Sequence, residues 1–186
     1  MGQKDTYDEA LIVEQLHHQE TVNAAFGKEI EHYSQPLYWQ IRRMVIDHDD
    51  ANDVLQNTFI KAWSNIGSFR GDAKFSTWLY KIAVNESITF INKKKVQNNI
   101  SLDDDSSFLT SNLEADRYFD GDEAQLKLQK AIATLPDKQR LVFNMRYYDE
   151  MKYEDMSEIL GTSVGALKAS YHHAVKKIES FFGEED

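Results

Sequence analysis

The sequence contains no cysteine, and only two prolines and eight glycines in 186 residues. Without cysteine there are no disulfides and no thiolate metal sites. So little proline and glycine leaves few places to turn, which favours helices over the turn-rich pattern of a β-sandwich. No apolar run approaches the roughly 20 residues of a membrane span, and the polar stretch from Met1 to Glu9 is unlike a signal peptide. Membrane insertion is therefore not expected, and the cytoplasm is the expected compartment. Strand-like alternation, internal repeats, a glycine-rich phosphate loop, a nucleophile elbow and a His/Glu cluster at ligand spacing are all missing. Neither an enzyme nor a cofactor or metal is expected.

What is present is helical periodicity with unevenly spread charge. The net charge is −10, which taken alone argues against a nucleic-acid partner. Its distribution argues otherwise. From Arg70 to Lys95 six basic residues face two acidic ones, whereas from Val96 to Leu126 eight acids face Arg117 alone. Residues 1 to 35 carry seven acids against Lys4 and Lys28. The acidity thus lies mainly outside the segment best suited to phosphate, although its long-range field weakens unaided binding to duplex DNA.

Tyr7 to His18 and Thr21 to Tyr33 read as two amphipathic helices, with Pro36 in the first turn of a third. Asp47 to Asp50 marks a turn and a helix start, where acids suit the positive end of the dipole. In the helix from Asp49 to about Ile66, Ala51, Val54, Leu55, Phe59, Ala62 and Trp63 form the expected core stripe. Asp50, Asp53, Gln56, Asn57 and Lys61 line its other side, as a solvated face or as a dock for a basic partner helix.

A further helix runs from about Lys74 to Lys95. It is apolar on two faces, Phe75, Leu79, Ile82, Ala83 and Phe90 on one and Tyr80, Val84, Ile88 and Ile91 on another. Between them lies a narrow strip of Lys74, Trp78, Lys81, Asn85, Thr89 and Asn92, spaced three or four apart. A helix apolar on two sides is wedged into a core, so this strip is its outlet to solvent. Ammonium groups, an indole face and an amide can hold a phosphate backbone and stack on or hydrogen-bond unpaired bases.

Periodicity lapses from residue 96 to residue 121, as expected of an acidic linker between two domains, 1–95 and 122–186. Asp103-Asp104-Asp105-Ser106 lacks the glycine and distal glutamate of a calcium loop. Leu126 to Leu135 is a helix stopped by Pro136, followed by helices at Asp137 to about Tyr148, Tyr153 to Leu160 and Val164 to Phe182. The turn Gly161-Thr162-Ser163 between the last two has helix-turn-helix spacing. In the last helix Val164, Leu167, Tyr171, Ala174, Val175, Ile178, Phe181 and Phe182 face inward. Gly165, Lys168, Ala169, His172, His173 and Lys176 face outward, with Thr162 or Ser163 as cap. Small residues there allow close approach to a groove floor, within reach of Lys168 and His172. His172 and His173 point about 100° apart on a helix, so they are not a metal pair.

These blocks in this order resemble the bacterial RNA polymerase sigma factors of the extracytoplasmic-function (ECF) group. The resemblance rests on Phe59-Ile60-Lys61-Ala62-Trp63 leading to SFRGDAKFSTWLYKIAVN, and on Leu135-Pro136-Asp137-Lys138-Gln139-Arg140 leading to GALKASYHHAVKKI. It implies an all-α chain of two small helical domains and a transcription initiation factor without chemistry of its own. The first domain would dock on the clamp helices of core RNA polymerase through Asp50, Asp53, Gln56 and Asn57. It would also capture melted −10 DNA around the Gly67-to-Lys74 loop, using Phe69, Arg70, Lys74, Phe75, Trp78, Lys81 and Asn85. The helix-turn-helix would read the −35 element of promoter DNA as duplex, and an anti-sigma factor, the group's usual partner, is a further candidate. Members often carry arginine where this chain has Ser170, His173 and Val175, and serine at Ala169, so phosphate anchoring by this helix should be weaker. The competing reading is an autonomous helix-turn-helix regulator with an N-terminal sensor or dimerisation domain.

Overall fold

The computed structural model describes residues 7–98, Leu113 and residues 123–183. Eight α-helices lie among the described residues: α1 (Glu9–Leu16), α2 (Val22–Val45), α3 (His48–Ser64), α4 (Phe75–Gln97), α5 (Glu123–Ala133), α6 (Asp137–Tyr147), α7 (Tyr153–Leu160) and α8 (Val164–Gly183). A 3-10 turn, Ile66–Ser68, joins α3 to the loop before α4. None of the described helices is long and apolar enough to cross a membrane. Apart from Leu113, most of the expected acidic linker, Asp103 to Asp105 included, lies outside the described residues.

The main departure from expectation is α2. Pro36 does not open a new helix but sits inside one of 24 residues. A proline in a helix interior loses one backbone hydrogen bond and costs about 3 kcal/mol. Phe26, Tyr33, Leu37, Ile41 and Met44 keep a single helical phase across it, and all are buried. Each such side chain contributes roughly 1.5–3 kcal/mol on burial, so the shared stripe outweighs the defect. Pro36 itself faces solvent. At the other end of α3's entry turn, the Asp47 side chain accepts a hydrogen bond from the Asp50 N–H at 2.9 Å and caps α3 as its acidic start suggests.

α4 is embedded along most of its two apolar faces: Phe75, Leu79 and Ala83 are fully buried and Val84 nearly so, but Ile88, expected on the second face, is 39% exposed. Ser87 is buried too, its hydroxyl donating to the Ala83 carbonyl at 2.8 Å so that no donor is stranded. Gly161 ends α7 in the left-handed region (φ 64°), its N–H bonding the Ser157 carbonyl at 2.9 Å. Ser163 then caps α8, its hydroxyl oxygen accepting from the Ala166 N–H at 3.3 Å.

The two modules pack against each other. Leu141, Val142 and Met145 of α6, Met156 and Ile159 of α7 and Leu167 of α8 belong to the same buried cluster as Phe75, Leu79 and Val84. A second cluster, Ile132, Leu135, Phe143, Ala174 and Ile178, belongs to the second module alone. Arg43 is ion-paired with Asp149 and lies 4.9 Å over the Tyr148 ring. Asn144 donates to the Arg43 carbonyl at 3.5 Å, and Lys95 meets Asp137 at 2.9 Å. Burial pushes the Asp149 carboxyl up to about 6 even though Arg43 pulls it down. Ile46, at a left-handed backbone position (φ 68°), packs on Leu113 and Ala133, so apolar burial offsets its strain.

Glu29 is fully buried in α2. One carboxylate oxygen accepts from the Tyr7 hydroxyl at 2.7 Å, and the other has no partner among the described residues. Burial raises this carboxyl from 4.5 to about 7, against the pull of the Tyr7 hydrogen bond. The folded chain therefore holds that proton more tightly than the unfolded one. The stability this group contributes is full below pH 4.5 and is lost as pH rises through about 7. Glu29→Gln keeps the shape and removes the titration. Thermal melts across pH should then show a flatter profile, with Tm raised above neutrality and little changed in acid; a profile as steep as the parent's would exclude Glu29 as the source.

Candidate nucleic-acid and polymerase interface

Wedged between α2, α3 and the second module, α4 has one edge left for solvent. Lys74, Lys81, Asn85, Thr89 and Asn92 are exposed along it, and Trp78 is half-buried. The indole is braced from behind by Phe69 at 5.2 Å and Phe75 at 5.5 Å between ring centroids, which fixes its plane. Neither Lys81 nor the Asn85 amide has a side-chain partner among the described residues. Lys74 stands 3.9 Å from Asp155 of α7, and Arg70 is exposed in the loop.

Two residues expected to touch DNA do not line this edge. Phe69 is 4% exposed and Phe75 fully buried, so both support the strip from within rather than meet a nucleotide. Their ring contacts, with each other at 5.4 Å and with Tyr33 from Phe75 at 6.0 Å, explain why. The loop's other neighbour was not legible. A cavity of about 800 Å³ opens between Gly71 to Phe75 and the N-terminal segment, where Tyr7, Asp8, Glu9, Ala10 and Val13 form the facing wall. No local sequence signal links residues so far apart; the wall exists because Tyr7 is tied to Glu29 and stacks on His32 at 3.6 Å.

On α3, Asp53, Gln56 and Asn57 are exposed and Asp50 is half-buried, ion-paired with Lys94. All four line a groove of about 350 Å³ whose other side is Phe90, Lys93, Lys94 and Gln97 of α4. Trp63 corrects the expected core stripe: it is 42% exposed, leaning on Phe26 at 5.1 Å. Ile60, 58% exposed, lies one turn from Asn57, so apolar area continues this face. The spacing from Gln56 to Ile60 to Trp63 held that signal, but an isoleucine and a tryptophan read more readily as core.

In the second module Gly165, Lys168, Ala169, His172, His173 and Lys176 are all exposed on one face of α8, while Leu167, Ala174 and Ile178 are buried opposite. The Lys168 ammonium sits 5.7 Å over the Tyr153 ring, which also carries the Arg146 guanidinium at 5.2 Å. The arrangement is a helix-turn-helix with its second helix presented outward.

Comparison with known proteins agrees with this layout. Residues 30–96 match the Sigma-70 region 2 family and residues 125–178 match Sigma-70, region 4. The ECF RNA polymerase sigma factor SigW of Bacillus subtilis is 35% identical over 156 residues, covering 80% of this chain and 83% of the relative. RNA polymerase sigma-H factor of Pseudomonas aeruginosa is 28% identical over 163 residues, covering 83% of this chain and 84% of the relative. Among solved structures, CnrH in complex with the cytosolic domain of CnrY shares the fold, with a TM-score of 0.70 at 20% identity over 96% of this chain and 99% of that one. The sigma factor RpoE from Bartonella quintana, solved with the anti-sigma factor NepR, does so at 0.65 and 21% identity, over 85% and 96%. With region 2 ending in the embedded α4 and region 4 ending in the outward-facing α8, the chain belongs to the ECF sigma factors, non-enzymatic proteins through which RNA polymerase initiates transcription.

Proposed function

We propose that this sigma factor brings core RNA polymerase, in the cytoplasm, to promoters whose −35 element is read as duplex by α8 and whose −10 element is gripped as a melted strand along α4. The observation that carries the proposal is Lys81 and Asn85, without a side-chain partner among the described residues, beside a braced Trp78. A duplex reader has no use for such an edge. Melted DNA does: the indole face stacks on a base, the amide hydrogen-bonds a base edge and the ammonium neutralises a phosphate. The cavity beside Gly71 to Phe75 is of a size to hold one extruded base.

Polymerase docking is assigned to the α3 face, where Asp53, Gln56 and Asn57 offer polar specificity and Ile60 and Trp63 offer apolar area. That combination, an apolar patch edged by acids and amides, suits a basic amphipathic helix pair such as the clamp helices. That CnrH was solved with the cytosolic domain of CnrY, and RpoE with the anti-sigma factor NepR, supports a protein antagonist for this chain as well.

Reading both elements at once requires the modules to part. Elements 25 base pairs apart are separated by about 85 Å at 3.4 Å per pair. A compact chain of 186 residues has a radius of gyration of only about 16 Å. A connector of about 25 residues, fully extended, reaches roughly 85 Å. The packed arrangement is therefore the resting form, and the ion pair of Arg43 with Asp149 is broken in the working one.

Three outcomes are expected. Asp53→Ala with Gln56→Ala leaves the melting curve unchanged but abolishes co-purification with core polymerase; retention of binding removes the α3 face from the docking site. Asn85→Ala impairs permanganate-detected promoter opening more than closed-duplex binding, and equal losses in both would end the base-capture role. Because the chain has no native cysteine, dyes placed by Glu20→Cys and Glu179→Cys report module separation cleanly. Energy transfer between them falls when polymerase and promoter are added, and an unchanged signal in an active complex contradicts the parting.

A further inference from the structure

We infer that α1 is a strut that positions the loop between Phe69 and Lys74 for promoter opening, fastened at one end by Tyr7 on Glu29 and at the other by His17 on Phe69. The inference rests on the reading of that loop and the α4 edge as the surface that meets a melted strand. It adds positioning residues that lie ahead of the Sigma-70 region 2 match, which begins at residue 30.

The loop has little of its own to hold it. Backbone hydrogen bonding stops at the Phe69 N–H, which reaches the Ile66 carbonyl at 3.1 Å, and resumes at the Trp78 N–H on the Lys74 carbonyl at 3.1 Å. Among the described residues the Arg70 and Asp72 side chains have no hydrogen bond or ion pair. Gly71 sits in left-handed backbone (φ 78°), and glycine is the residue with the most alternatives to it. Lys74 is held at 3.9 Å, but by Asp155 of the second module. That contact is given up when the modules part.

α1 supplies a hold from within the first module. Ile12 and Leu16 are buried and seat the helix on the core. At its start the Tyr7 hydroxyl donates to the fully buried Glu29 at 2.7 Å, and the Tyr7 ring stacks on His32 at 3.6 Å. At its end the His17 ring lies parallel to Phe69, with 4° between planes and 6.1 Å between centroids. The loop backbone passes close by: a Cβ added to Gly71 would stand 4.0 Å from the His17 Nε2.

Phe69 in turn braces Trp78 at 5.2 Å. The placement of α1 thus passes to the indole through two ring contacts, His17 on Phe69 and Phe69 on Trp78. His17 is itself exposed, so its ring adds little to the core beyond the contact with Phe69. A loop ordered in advance spares strand capture the entropy of ordering it. Loosening the strut therefore tells at opening, where loop and indole meet an unpaired base, rather than at binding of closed duplex.

The test uses holoenzyme reconstituted with the full chain, on a promoter duplex that the parent opens. His17→Ala leaves the melting curve and closed-duplex binding unchanged and lowers permanganate-detected opening about two- to ten-fold, the span of one ring–ring contact. His17→Phe keeps a ring against Phe69 and restores opening. Tyr7→Phe, which unfastens the other end, gives the same selective loss as His17→Ala. Asn85→Ala, run alongside, reports on the underlying reading. If it impairs opening while His17→Ala or Tyr7→Phe opens normally, the strut is overturned and the reading of the α4 edge stands. If Asn85→Ala opens normally, that reading falls and the strut with it. A loss in His17→Ala that His17→Phe fails to restore, or one shared equally by closed-duplex binding, also overturns the strut. So does increased opening in His17→Ala, which would make α1 a cover over the loop.

Discussion

Everything along the exposed edge of α4 depends on that helix being gripped on two sides. Phe75, Leu79, Ala83 and Val84 leave it no freedom to roll, because any rotation would bring one apolar face into water. Polar residues on the buried sides are short ones, Thr77 and Ser87. Ser87's hydroxyl turns back on the helix's own carbonyl, so the wedge carries no stranded donor there. A helix that cannot roll holds Trp78, Lys81 and Asn85 in one register. Preorganisation of this kind spares a binding edge the entropy of assembling itself around a flexible strand.

Electrostatics reinforce that selectivity. Acids are spent where a cation is partly covered by the protein, as at Asp50 with Lys94 and Asp149 with Arg43. Lys81 on α4 and Lys168 and Lys176 on α8 stand against no carboxylate among the described residues, local positive charge on a negative body. A net-negative body discourages capture by arbitrary DNA, while local charge favours a strand delivered in the right geometry.

Sequence periodicity resolved the elements whose signal is local. α6, α7 and α8 begin and end within about a residue of expectation, because each is bounded by a proline, a left-handed glycine or a cap. The exposure of Asp53, Gln56 and Asn57 and of the whole outward face of α8 was legible for the same reason: helical phase alone decides which side is wet. What was not legible involves distant partners. Pro36 looked like a start because its cost is local and the stripe that overrides it is not. Phe69 and Phe75 lie at the edge in sequence, yet ring packing with Trp78 and Tyr33 draws them inside. Trp63 went the other way, since nothing in its own helix says that the covering layer stops at Phe26. The wall that Tyr7 to Val13 builds beside the loop could be found only by folding the chain.

The core shared between the modules carries one more implication. Met145, Met156 and Leu167 lie in the same cluster as Leu79, so parting them without a substitute surface would leave thioethers and leucines in water. Such a species is what a protease or an aggregating neighbour would meet first. The closed chain is thus a form fit for storage, and its lifetime in the cell would track how soon a larger assembly takes over the cover that each module gives the other.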